Sequence, residues 1–195
     1  DTIQGYPAES LLSLYGFFIG DGYIDPRMPK AIQFRLRKQR KINYLYELCS
    51  ELGLNISANA NDKFYITSPK DDIGLIMGEC YDENREKRIP RSLFELSPEL
   101  LHYLYEGLLN SDGHIGRTGE VYDTTSLTLA SQVQELCTLL GWTSSISLLH
   151  PETETRRYGW RIFINKKLLE SMVNKVQYDI FDEYVEYDGN VYCAE

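Results

Sequence analysis

The sequence predicts an α+β fold made of two copies of one αββαββα unit. Three observations carry the prediction. An apolar, helix-like run ending in Asp-Gly occurs twice, as "LYGFFIGDG" (14–22) and "YEGLLNSDG" (105–113). The segments "YELCSELGLNIS" (46–57) and "QELCTLLGWTSS" (134–145) match at an offset of 88, close to the offset of 91 between the two Asp-Gly sites. Strand-like alternation separates these features in both halves, so the order repeats as well as the motifs. Several matches in one order identify a tandem duplication.

Each element has a local reason. The first apolar run predicts a helix from about residue 8 to 20. Residues 31–38, "AIQFRLRK", alternate strictly, with Ile32, Phe34 and Leu36 on one face and Gln33, Arg35 and Arg37 on the other. That is a half-buried strand whose open face is basic. A helix over about 41–52 is closed by Gly53, and its twin by Gly141, because glycine accepts the left-handed cap. "FYITS" (64–68) reads as a strand followed by a short helix. Ser97-Pro98-Glu99 starts a second apolar helix to about residue 111, with a capping hydroxyl, proline at the first helical position and an early acid. "VYDTTSLTL" (121–129) takes the place of the basic strand, "HPETETRRYG" (150–159) is a hairpin turn, and "WRIFI" (160–164) is a strand followed by another short helix. The expected units are 1–95 and 96–185, with 186–195 left over.

The chain has 195 residues, 43% apolar and 25% charged, ordinary proportions for a globular protein. No run of 18 apolar residues is present, so no membrane span is expected. No signal peptide precedes Asp1, and the chain reads as a fragment or an excised segment. Cys49, Cys80, Cys137 and Cys193 form no C-x-x-C pair. Zinc is therefore disfavoured, and reduced core thiols in an intracellular protein are expected. The net charge of −9 speaks against a nucleic-acid partner, but its distribution does not. Arg27, Lys30, Arg35, Arg37, Lys38, Arg40 and Lys41 fall in a stretch without acids, and 179–195 holds six acids without a base. A basic strip lies on an acidic body, and the local field governs what it attracts.

Gly16 and Gly107 each lie five residues before an aspartate, Asp21 and Asp112. A glycine inside a helix costs about 1 kcal/mol relative to alanine, so a repeated one suggests that two helices approach backbone to backbone. Asp21 and Asp112 then emerge together at two helix C-termini, where mutual repulsion and the helix dipoles both disfavour them. A divalent cation relieves that repulsion. Aspartates and carbonyls suit Mg²⁺ (or Mn²⁺), which can serve phosphodiester hydrolysis.

"LYGFFIGDG" and "YEGLLNSDG" resemble the two signature motifs of a single-chain LAGLIDADG homing endonuclease, and the resemblance covers essentially the whole chain. "KRIPRSLFELSPELLHYLYEGLLNSDG" (87–113) resembles the intein-encoded branch, and "YDGNVYCAE" (187–195) resembles the start of an intein C-terminal splicing block. The resemblance implies a pseudo-symmetric monomer, with two central helices and a saddle of antiparallel sheets over the major groove of double-stranded DNA. It implies an intein and host protein around the chain, and location wherever the host DNA lies. Asp21 and Asp112 become the catalytic, metal-binding acids, with the backbone carbonyls of Gly20 and Ser111 available to the metal. Lys87 and Lys175 become the catalytic lysines, polarising water or stabilising the charged transition state. Ile19 and Asn110 stand where the motif is often acidic. Arg27, Lys30, Gln33, Arg35, Arg37, Lys38, Arg40, Arg156, Arg157 and Arg161 are the implied DNA contacts, since Arg and Gln read guanine and adenine edges. The second half offers hydroxyls where the first offers bases, so an asymmetric target is expected.

Bland readings stand beside these. A single Gly-Asp-Gly is a turn, Arg35 and Arg37 could be a solvated sheet face, and single lysines are usually surface residues. His102 and His114 lack metal-ligand spacing. A degenerate nucleic-acid-binding protein or RNA maturase on the same fold remains the alternative. Splicing by this chain alone is not expected without a nucleophile at residue 1 or a terminal His-Asn pair.

Overall fold

The computed structural model describes residues 1–59, 61–116, 119–154 and 157–166. The chain opens with a hairpin of β1 (Thr2–Ile3) and β2 (Tyr6–Pro7). Gln4 and Gly5 close it at φ of 52° and 78°, which suits a two-residue turn. The first unit follows as α1 (Ala8–Asp21), β3 (Gly22–Tyr23), β4 (Ile32–Arg35), α2 (Gln39–Glu51), β5 (Asn55–Ala58), β6 (Lys63–Thr67) and α3 (Ile73–Gly78). A 3-10 turn at Arg91–Glu95 leads to the second: α4 (Pro98–Ser111), β7 (Gly113–Ile115), β8 (Glu120–Thr124), α5 (Leu127–Leu139), β9 (Thr143–His150) and β10 (Gly159–Asn165).

Both four-stranded sheets are antiparallel, ordered β3-β4-β6-β5 and β7-β8-β10-β9. Equivalent strands hold equivalent places, so the repeat read in the sequence is a repeat of topology. The α+β class and the two central helices agree with expectation. The predicted helix after β10 lies outside the described residues, as do Lys175, Arg156, Cys193 and 186–195.

Helix α1 is buried on nearly every side, with Leu11, Leu12, Leu14, Tyr15, Phe17 and Phe18 fully inaccessible. One flank meets the first sheet, where the Phe17 and Phe34 rings stack with centroids 5.2 Å apart. The other meets α4 at two reciprocal contacts. A Cβ on Gly16 would fall on the Leu104 carbonyl and within 2.6 Å of the Leu108 nitrogen. A Cβ on Gly107 would fall on the Ser13 carbonyl and within 2.9 Å of the Phe17 nitrogen. The helical glycines exist because backbone occupies the space a side chain would need. Farther along, a Cβ on Gly20 would collide with the Ser111 side chain. The helices thus stay in contact down to the aspartates.

Gly53 and Gly141 take φ of 63° and 73° after α2 and α5, as their cap role requires. Cys49, Cys80 and Cys137 are buried free thiols. Three local expectations need correction. The first basic strand ends at Arg35 rather than residue 38, because Lys38 already serves as the N-cap of α2. The segment 121–129 is a strand only to Thr124. Ser126 then accepts a hydrogen bond from the Leu129 amide and starts α5, since a hydroxyl competes well for free amides at a helix start. Ser97 does precede α4, but its hydroxyl makes no capping hydrogen bond. No helix among the described residues is long and apolar enough to cross a membrane.

Candidate active site and nucleic-acid interface

The paired ends of α1 and α4 carry the chemistry. Asp21 is the last residue of α1 and Asp112 the C-cap of α4, and both ion-pair with one ammonium. Lys41 donates a short hydrogen bond to Asp21 Oδ2, and its Nζ lies 3.9 Å from Asp112 Oδ1. Lys41 is only 8% exposed. Partial burial raises the Asp112 carboxyl above its ordinary range, the Asp21 charge adds to the rise, and Lys41 opposes it. The repulsion anticipated for two carboxylates at helix C-termini is thus present, and a lysine partly answers it.

Lys87 approaches from the segment after α3, where Tyr81 and Lys87 form an isolated antiparallel bridge. Its Nζ donates to the Phe18 carbonyl at 2.6 Å and lies 3.5 Å from the Phe18 ring centroid and 4.8 Å from that of Tyr81. A cation near the last carbonyls of a helix is well placed. Burial nevertheless pulls the amine down to about 7, while Cys80, Asp112 and Asp21 push the other way. Lys87, Gly20, Asp112, Tyr122, His150 and Arg157 line a cavity of about 560 Å³ beside the acid pair. Tyr122 is 1% exposed, and its hydroxyl has no hydrogen-bond partner among the described residues. Burial raises this phenol, and Asp112 and Asp21 raise it further.

The acid pair offers two hard carboxylates, and Gly20 and Ser111 directly precede them at the helix ends. Among the described residues no group of three or more His, Cys, Asp and Glu is placed to hold a metal. A metal here would have two carboxylates, backbone and water, a set that suits Mg²⁺ better than zinc. Asp123 also raises Asp112, but it is committed to Arg161.

The open face of the first sheet carries a row of Tyr23, Gln33, Tyr65 and Ser57, with Arg35 opposite Lys63. Gln33 lies in that row, but its side chain is not exposed as expected. It is only 2% exposed, and Nε2 is without a partner among the described residues. The basic strip is also less free than its sequence implies, because an acid just before it and two from later loops pair with it. Arg27 pairs with Asp25 at 2.7 Å, Lys30 with Asp71 at 2.9 Å, and Arg37 with Asp62 at 3.4 Å. Arg40 donates to the Asn110 carbonyl at 3.1 Å. Arg35 and Lys38 are exposed and have no ion-pair partner among the described residues, and both line a cleft with Asp21 and Lys41.

The second sheet differs. Arg161 is held bidentate by Asp123 at 2.8 and 2.7 Å, and Arg157 meets Glu86 at 3.0 Å. Phe163, Ser145 and Ser147 share the open face with Arg161. The expected chemical inequality of the halves is therefore present in the described residues.

Sequence reasoning placed Lys41 in the basic strip and missed its burial. The signal was available, since Lys41, Leu45, Leu48, Cys49 and Leu52 fall on one helical stripe. Tyr122 carried no comparable signal, because its environment comes from elements distant in the chain.

The architecture is the LAGLIDADG fold. No family model matches the sequence. The structure is similar to full-length DUF199/WhiA from Thermatoga maritima, at 14% identity and a TM-score of 0.53, over 84% of this chain and 53% of that one. The chain therefore spans about half of that protein. The N-terminal LAGLIDADG domain of DUF199/WhiA is similar at 15% identity and a TM-score of 0.51, over 83% of this chain and 78% of the domain. So is the homing endonuclease I-DmoI in complex with DNA and Ca, at 14% identity and a TM-score of 0.54, over 81% of this chain and 83% of that one. I-DmoI has also been crystallised with DNA and Mn.

Proposed function

We propose that the chain is a site-specific DNA endonuclease that hydrolyses phosphodiester bonds in both strands of a long, asymmetric duplex target with a divalent metal. The convergence of Asp21 and Asp112 at paired helix ends, between two antiparallel sheets, is the observation that carries this reading. I-DmoI has a similar fold and is a homing endonuclease crystallised with DNA and metal.

Each residue then has a task. Asp21 and Asp112, with the Gly20 and Ser111 carbonyls, hold Mg²⁺ or Mn²⁺, which supplies an activated water and charge neutralisation. Lys87, poised near neutral pH, takes a proton from the attacking water as an amine or steadies the phosphate charge as an ammonium. Lys175 takes the equivalent place in the second unit. Arg35 and Lys38 grip the duplex under the first half. Arg27, Lys30, Arg37 and Arg40 exchange their present partners for phosphate, as Arg157 does in the second half alongside Arg156, while Arg161 faces the duplex still paired with Asp123. The tandem units 1–95 and 96–185 act as one monomer inside the cell, within an intein of which 186–195 is a splicing remnant.

A second reading, nucleic-acid binding without cleavage, is favoured by one observation: Lys41 already neutralises part of the acid pair. Incubation with a randomised duplex library, in Mg²⁺ and in Ca²⁺, separates the two when bound and cut molecules are sequenced. Binding in Ca²⁺ with cutting in Mg²⁺ is expected, and cutting is lost in Asp21→Asn and Asp112→Asn. Cutting by those variants at the parent rate sinks the first reading, whereas selective binding without cutting supports the second.

A further inference from the structure

The ammonium of Lys41 is buried at the start of a helix, an unfavourable place twice over. Burial strips its water, and the positive end of the α2 dipole lies in the same turn. Its stripe neighbours Leu45 and Leu48 are buried apolar residues, so the packing alone would accept methionine or leucine at position 41. The only acids that it pairs with among the described residues are Asp21 and Asp112. One positive charge thus stands against two negative ones.

We propose that Lys41 is a resident counter-ion that a divalent cation must displace from Asp21 and Asp112, and that duplex phosphate draws it away. The proposal rests on the metal-site reading above. A divalent cation and the ammonium repel each other and compete for the same carboxylate oxygens, so both cannot hold them at full strength. The displaced side chain has a place to go. The cleft of about 400 Å³ next to Asp21 is walled by Arg35, Leu36, Arg37 and Lys38. There Lys41 joins Arg35 and Lys38, neither of which has an ion-pair partner among the described residues. Phosphate lying along that edge attracts Lys41 toward itself and leaves the acids to the metal. Metal binding and duplex binding therefore strengthen each other, and the free chain holds metal weakly.

The test is calorimetric titration of the free chain with Ca²⁺, which needs no cleavage. Lys41→Met, which keeps the length and packing, is expected to bind Ca²⁺ about tenfold tighter than the parent. Lys41→Gln serves as a second neutral variant should the methionine variant fail to fold, with melting curves as the control. A mixed-sequence duplex is expected to raise the calcium affinity of the parent severalfold and that of either variant much less. Equal calcium affinity in parent and folded variants overturns the proposal while leaving the metal site standing. Calcium binding by none of them overturns both. Equal strengthening by the duplex in parent and variants overturns the handover of Lys41 to phosphate.

Discussion

Gly16 and Gly107 are reciprocal: a methyl group on either would strike the backbone of the opposite central helix. The seam is thus set by main chain against main chain. Alanine at either position gains about 1 kcal/mol of helix propensity. It also forces α1 and α4 apart, and overpacking of this kind typically costs 1–3 kcal/mol, occasionally more. Gly16→Ala and Gly107→Ala should each lower the stability read by urea denaturation, with a net loss of about 1 kcal/mol. Unchanged midpoints would show that the seam yields more easily than a backbone contact allows.

Lys87 should make stability depend on pH in a defined window. Its amine binds protons less readily folded, at about 7, than unfolded, at 10.5. The unfolded chain therefore holds more protons between those values, and stability rises with pH across them. Below about pH 7 both states are charged and the full cost of burying the ammonium is present. Lys87→Met should stabilise the fold by about 1–3 kcal/mol at pH 6, and the gain should shrink as pH rises toward 10.5. A gain independent of pH would remove the case for a depressed amine.

Tyr122 offers a simpler contrast. A buried hydroxyl without a partner costs about 1–3 kcal/mol, and Tyr122→Phe keeps the ring. The variant should melt higher, with a gain of about 1 kcal/mol. If the hydroxyl contacts substrate in the proposed reaction, the same variant loses cutting rate while gaining stability, a split that a purely structural tyrosine would not give.

For the proposed duplex interface, ion pairing sorts the arginines. Arg35→Ala and Lys38→Ala remove cations with no competing acid, so each should lower the slope of log affinity against log salt by about one. Arg161→Ala also unpairs Asp123, leaving a carboxylate facing the phosphates. It should weaken binding more than Arg35→Ala does, and Asp123→Asn should restore much of the loss. Equal effects of Arg35→Ala and Arg161→Ala would mean that the Arg161–Asp123 pair dissolves on the duplex.

The repeat made most of the fold readable. Two matched motifs and one alternating strand were enough for the order of elements, because apolar period and glycine caps act locally. What escaped was set at a distance. The charge of the basic strip could be counted, but not the neutralisation of Arg27, Lys30 and Arg37 by Asp25, Asp71 and Asp62, two of which lie in later loops. Gln33 alternated onto the open face as predicted, yet its side chain is buried there. The strand over 121–129 was overextended because Thr124 and Thr125 have β-branched side chains that favour a strand, whereas the Ser126 hydroxyl starts a helix. The pairing of Asp21 with Asp112 was legible from the duplicated glycines, and the lysine between them was not.

The link between the two units is itself tied down. The Gln132 side chain accepts from the Ile89 amide and donates to the Ile89 carbonyl, both at 2.9 Å, as a neighbouring strand would. Arg91 grips Glu135 one helical turn further along α5 at 2.6 and 2.7 Å. Combined with the glycine seam, this fastens the described parts of both halves to one frame, like a caliper of fixed gauge. On the proposed duplex, one base pair added between the half-sites would turn them apart by about 35°, since a turn takes 10–10.5 base pairs. A caliper of fixed gauge would not follow that rotation, so under the proposed function the protein would set the length of the target as firmly as its sequence.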